Sequence, residues 1–256
     1  MEKTDSKYTS FSKWASKELK NPLDMQKHVN ALWQMAQCFT PEGDYFKIRK
    51  ALEMPTLAKE GRASREKLFE KVCAAAQTNL FNQFVVIKKQ SAVDLVQVKE
   101  NTLTGLIELK IDSDDIFHAA YEVIFYYFRL LHNKKEFLER NPGIDMLSTG
   151  FHLTVLAPAY FFVQHIRPKI AQEATEQINR EFENLNHTVF RQPLQDILLA
   201  EPKYQAPLLH FVQISADNPC LSTDAAAQIR KHMQGDNVVR PPDTFCRAMQ
   251  KLPLIW

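Results

Sequence analysis

The side chains of this 256-residue chain best spaced for joint chemistry are His118, Glu122, Arg129, His132 and Glu136, which share one helical stripe at separations of four, seven, three and four residues. An imidazole and a carboxylate one turn apart can share a metal ion or pass a proton. The pairs His118–Glu122 and His132–Glu136 repeat after fourteen residues, which is about 21 Å at ~1.5 Å rise per residue. They therefore cannot meet on one ion or one substrate atom. A di-iron bundle uses Glu-x-x-His motifs on two helices, whereas the order here is His-x-x-x-Glu on one. The stripe reads first as a ladder of ion pairs along a solvated face, each contributing about 0.3–0.5 kcal/mol. The competing reading is a helical enzyme, metal-dependent in one form, with its site around His118, Glu122, His152 and Tyr160. No catalytic nucleophile, metal or cofactor is expected from any other spacing.

Motifs that build phosphate loops are missing. The six glycines, Gly43, Gly61, Gly105, Gly143, Gly150 and Gly235, are too far apart for G-x-x-x-x-G-K-[ST], G-x-G-x-x-G or G-x-S-x-G. H-E-x-x-H and C-x-x-C are absent as well, and Cys38, Cys73, Cys220 and Cys246 lack the close pairing of a zinc site or a disulfide framework. The thiols fit a reducing compartment.

Aromatic residues are the second feature. Phe125, Tyr126, Tyr127 and Phe128, then Phe151, Tyr160, Phe161 and Phe162, fill so many neighbouring positions that one core does not obviously hold them all. A multilayer core is the bland account. A partner-binding surface including Phe151, Tyr160, Phe161 and the terminal Trp256 is the functional one.

The elements that must position these residues read as helices. Ser6–Lys20 carries an apolar stripe of Phe11, Trp14, Ala15 and Leu19, and 22–39 and a third segment from Pro41 to about Glu53 open on the N-cap and proline signals Asn21-Pro22 and Thr40-Pro41. From Ser64, the positions of Leu68, Val72, Cys73, Ala76 and Leu80 predict a helix that continues through Phe84 and Ile87. Residues 92–111 read either as a small β-hairpin, with Val96, Val98, Ile107, Leu109 and Ile111 alternating against Gln97, Glu108 and Lys110, or as a helix end and a loop. A long, strongly apolar helix follows Asp112–Asp115 and runs to about Arg140, stopped by Asn141-Pro142-Gly143. Helical segments are expected again over 144–166, at 169–186, after Pro193, after Pro207 and after Ser222. The fold class expected is mainly α, a multi-helix bundle or irregular α-array. It forms one domain over 1–256, or subdivides into 1–90 and 112–256.

Thirty-two Lys and Arg face thirty Asp and Glu, interspersed, for a net charge of +2. That balance does not advertise a cationic face, so no nucleic-acid partner is expected. No stretch has the ~20 apolar residues of a membrane span, and the first residues lack a signal peptide's apolar core. A cytoplasmic protein, or one delivered to another cell's cytosol by leaderless secretion, is expected. The composition is compatible with helical adaptors or effectors of host-associated bacteria, including virulence proteins. The first functional expectation is thus a non-enzymatic α-helical protein that binds another protein.

Overall fold

The computed structural model describes residues 11–19, 24–38, 46–48, 65–87, 91–111, 116–158, 161, 191–198, 205–215, 217–222, 224 and 243–252. A mixed β-sheet runs through them, so the mainly α expectation is corrected to an α/β fold. In chain order the elements are α1 (Phe11–Glu18), α2 (Met25–Gln37), α3 (Arg65–Ala76), β1 (Leu80–Ile87), β2 (Ser91–Lys99), β3 (Thr102–Leu109), α4 (Ile116–His132), α5 (Lys134–Arg140), β4 (Asp145–Met146), β5 (His152–Pro158), α6 (Arg191–Leu198), β6 (Leu208–Ile214), a 3-10 turn at Pro219–Leu221 and α7 (Asp243–Gln250).

The sheet has six strands in the order β1-β2-β3-β5-β6, with the short β4 also pairing to β3. Strands β1, β2 and β3 form an antiparallel meander, whereas β5 and β6 run parallel to β3. Of the two readings for 92–111, the hairpin is the one that forms. Its two-residue turn, Glu100-Asn101, holds both residues at positive φ, 49° and 60°, the backbone that lets a tight hairpin follow the twist of its strands. Parallel pairing of β3 with β5 needs a crossover, and α4 and α5 supply it.

Helices cover both faces. On one, α1, α2 and α4 enclose a core in which Leu32, Tyr121, Phe125, Leu106, Leu153 and Val155 are buried. On the other, α3 and α7 pack Phe69, Val72, Cys73 and Phe245 against Leu95, Ile107, Leu156 and Val212. This double cover explains the strands that helical spacing hid. A strand buried on both faces shows a continuous apolar run rather than alternation, as in Leu153-Thr154-Val155-Leu156-Ala157. The expected helix through Ile87 ends at Ala76, and the β-branched Val85-Val86-Ile87 belongs to β1. The segment after Pro207 is β6, with the proline just outside the strand, where it removes no ladder bond.

The long central helix divides at Asn133 into α4 and α5. Of the helix expected from Pro41, Phe46–Ile48 are described and are not helical, and its other residues lie outside the described ones, as do the segment over 169–186, all of that after Ser222 except Asp224, and Tyr160, Phe162, His165 and Trp256. No helix among the described residues is long and apolar enough to cross a membrane.

Candidate active site

At the carboxyl end of β3 the hairpin strands separate. The last ladder pair is Leu95 with Ile107, so Asp94 stands opposite Glu108 just beyond it. There the Leu109 amide donates to Asp94 Oδ2 at 2.9 Å. Lys110 N donates to Leu156 O at 3.0 Å, and the Ile111 amide donates to Glu66 Oε1, from the first turn of α3, at 3.0 Å. Two carboxylates thus fix the backbone of β3 where it leaves the sheet.

The side chains of the same segment turn toward α4. Lys110 Nζ lies 3.0 Å from Glu108 Oε1 and 3.0 Å from Glu122 Oε2. The Tyr126 hydroxyl donates to Glu122 Oε1 at 2.7 Å. Glu108 is only 3% exposed and Lys110 7%, and Glu108 Oε2 is buried without a hydrogen-bond partner. Three carboxylates, Asp94, Glu108 and Glu122, therefore act on one ammonium, and Glu66 adds its charge next to Asp94.

Electrostatics follow from that inventory. Burial pushes the Asp94 carboxyl up to about 7, Lys110 and the Leu109 amide counteract this, and the charges of Glu122 and Glu66 add to it. Glu108 is raised as well, by burial first and then by Asp94 opposite it. Burial works against the Lys110 charge, but Glu108, Glu122 and Asp94 outweigh it and hold the ammonium protonated well above the usual lysine range. Strong shifts with specific charge partners are a mark of functional sites.

The structure disperses the helical stripe that sequence spacing assembled. Glu122 enters the cluster just described. His118 meets the edge of the Phe11 ring, centroids 5.0 Å apart. Arg129, 1% exposed, donates from Nη1 to the Ala36 carbonyl at 2.9 Å. His132 packs on Trp33 with centroids 4.1 Å apart. Glu136, beyond the break at Asn133, pairs with Arg140 at 2.6 Å.

His152 stands at the amino end of β5, and its Nδ1 lies 2.9 Å from Nε2 of His210 on β6. It is level with Gly105, three residues before Glu108 along β3, roughly 10 Å away at ~3.3 Å per residue. Phe151 and Phe161 are buried, at 1% and 3% exposure. Among the described residues no three acidic, histidine or cysteine side chains already stand at metal-ligand spacing.

Glu66, Asp94, Glu108, Lys110 and Tyr126 were not singled out by spacing. The available signal was charge in the wrong place: Glu108 and Lys110 alternate with Ile107, Leu109 and Ile111, which suggests a solvated face only if the sheet has one.

No family model, curated protein or solved structure matches this chain.

Proposed function

We propose that the protein is a divalent-cation-dependent hydrolase of phosphodiesters, with its site at Asp94, Glu108, Lys110 and Glu122. The observation that carries this is the gathering of three carboxylates, Asp94, Glu108 and Glu122, around one ammonium at the end of β3, with Glu108 Oε2 buried and unpartnered. Fully ionised, three negative charges against one positive leave a buried excess that low dielectric makes costly. Either protons or a cation must offset it. The donors are all hard oxygens, with no thiolate or imidazole among them, which suits Mg²⁺ or Mn²⁺. Mg²⁺ needs only one or two protein carboxylates, because water and substrate phosphate complete its shell. Asp94 and Glu108, facing each other across the splayed hairpin, fit that role without a third ligand.

When bound, such an ion polarises a phosphoryl oxygen and lowers the pKa of a coordinated water. The chain's own residues do the rest. Lys110, held protonated, places a fixed positive charge where negative charge grows on the phosphoryl oxygens. Glu122, oriented by Tyr126, keeps the ammonium in place, and Glu66 fixes the strand end that carries it. Among the described residues no serine, cysteine or histidine is placed in the cluster, and water is the proposed nucleophile.

This departs from the expectation of no nucleic-acid partner, which came from net charge alone; a bound cation supplies locally what the overall balance lacks. An interaction role drew its support from surplus aromatic rings, and Phe151 and Phe161 are buried. The carboxylate–lysine cluster supports the enzymatic role better.

The test is incubation of purified protein with labelled single- and double-stranded DNA and RNA, in Mg²⁺, in Mn²⁺ and in EDTA. Cleavage that requires the metal and vanishes in Glu108→Gln and Lys110→Ala supports the assignment. Absence of metal-dependent cleavage on every substrate, or equal cleavage by Glu108→Gln, would overturn it.

A further inference from the structure

We infer that a second groove, at the carboxyl end of β6, is a phosphate-binding subsite for a nucleic-acid strand, an inference that rests on the phosphodiester hydrolase reading of the Glu108 cluster. The groove, about 740 Å³, is framed by the residues that follow β6 and by one side of α7. That volume falls within the ~300–1,000 Å³ usual for ligand clefts.

Its lining is cationic and rich in donors. Arg247 and Lys251, four residues apart on α7 and the turn that follows it, are both exposed and both line the groove. Arg247 Nε bonds the Asp243 carbonyl at 3.3 Å, which orients the guanidinium from its own helix. The Asn218 amide lines the groove with them. Asn218 is 9% exposed, and its Oδ1 is occupied by the Cys220 amide at 3.0 Å, so its NH₂ is the end left to donate. The groove's carboxylate, Asp217, is engaged by the Ser215 hydroxyl. Two cations with an amide donor recognise phosphate oxygens.

Placement ties this groove to the site. Strands β3, β5 and β6 run parallel, and in parallel α/β sheets ligands bind beyond the carboxyl ends of the strands. Leu109, Leu156 and Val212 stand in one row across β3, β5 and β6, so the backbone at Gln213 lies roughly 10 Å from that at Lys110 at ~4.8 Å per strand, with α7 on the α3 side of the sheet and the Lys110 ammonium on the α4 side. A nucleic-acid strand that occupies both therefore passes around the carboxyl ends of β5 and β3.

The experiment measures binding of a labelled single-stranded oligonucleotide by fluorescence anisotropy, with Ca²⁺ in place of Mg²⁺, over a series of salt concentrations. A thermal melt of the Arg247→Glu/Lys251→Glu variant confirms folding, and Arg247→Lys/Lys251→Arg serves as the conservative control. The charge reversal is expected to weaken binding by about tenfold or more and to reduce the salt slope by about 2, one for each lost phosphate contact. The control should retain binding. Unchanged affinity and slope in the charge-reversed protein would overturn the subsite, as would a mononucleotide that competes as well as the oligonucleotide. Hydrolysis of bis(p-nitrophenyl) phosphate by the wild-type protein is followed separately. Charge-dependent binding without any hydrolysis would overturn the hydrolase reading while leaving the subsite; hydrolysis with charge-independent binding would do the reverse.

Discussion

Tyr126 and Glu122, one turn apart on α4, are joined by a 2.7 Å hydrogen bond from the phenol to Oε1, which leaves Oε2 of the same carboxylate against Lys110 at 3.0 Å. The tyrosine thereby fixes how a glutamate on the helix meets a lysine on the strand. Removing only the hydroxyl, in Tyr126→Phe, should cost about 1 kcal/mol of stability and lower metal-dependent cleavage without abolishing it. Urea denaturation and a cleavage assay on the same preparation check both. Full activity in Tyr126→Phe would show that Glu122 needs no such orientation.

Lys110 is the cation on which the buried carboxylates depend. Lys110→Met should destabilise the fold by about 3–5 kcal/mol, the usual result of leaving buried charges without their partner. The loss should be larger at pH 8 than at pH 5, because Glu108 and Asp94 can take up protons at the lower pH. Adding Glu108→Gln to Lys110→Met should recover part of the loss, and a double-mutant cycle in urea measures how much. Equal losses at both pH values would contradict a cluster held by charge.

Asp94, pushed up to about 7 by burial and its acidic neighbours, gives the cluster a pH signature. Its folded pKa lies above the unfolded value near 3.9, so the folded protein holds this proton longer than the unfolded chain does. The stability it contributes is complete below about pH 4 and declines as pH rises toward 7. A divalent ion competes with that proton. Mg²⁺ should therefore raise the melting temperature more at pH 8 than at pH 5, and Asp94→Asn should remove most of the difference. A Mg²⁺ shift independent of pH would place the ion elsewhere.

How much of this was legible before the structure depends on one assumption about solvent. Glu122 was singled out by spacing because helical period survives burial, and residues 92–111 were open to a hairpin because Val96, Val98, Ile107, Leu109 and Ile111 alternate. That alternation also assigns Glu108 and Lys110 to water, which holds for a sheet with one open face. Here α4 covers the face on which they stand and α3 with α7 cover the other, so the charges are buried against each other. Strands β5 and β6 were hidden for the same reason, since Leu153-Thr154-Val155-Leu156 offers no period to distinguish it from a buried helix. Asp94 and Glu66 reach the site only through contacts at separations of 15 and 45 residues, which no local pattern records.

His132 gives a second pH signature, of opposite sign. It packs against Trp33, its Nε2 is buried without a partner, and burial followed by the nearby Arg129 charge pulls it down to about 4. Protonation would place an N–H with no acceptor beside a guanidinium. With the folded pKa below the unfolded value near 6.5, the stability it contributes is present above pH 6.5 and is lost as pH falls toward 4. His132→Phe, which keeps a ring against Trp33, should remove that loss. Between pH 4 and 6.5 the contributions of His132 and Asp94 oppose each other. The His132→Phe variant should therefore show stability declining with rising pH across this window, and Asp94→Asn should show it increasing. Urea midpoints collected at half-unit pH steps for the two variants separate the contributions, and parallel profiles would mean that neither group titrates as its surroundings require.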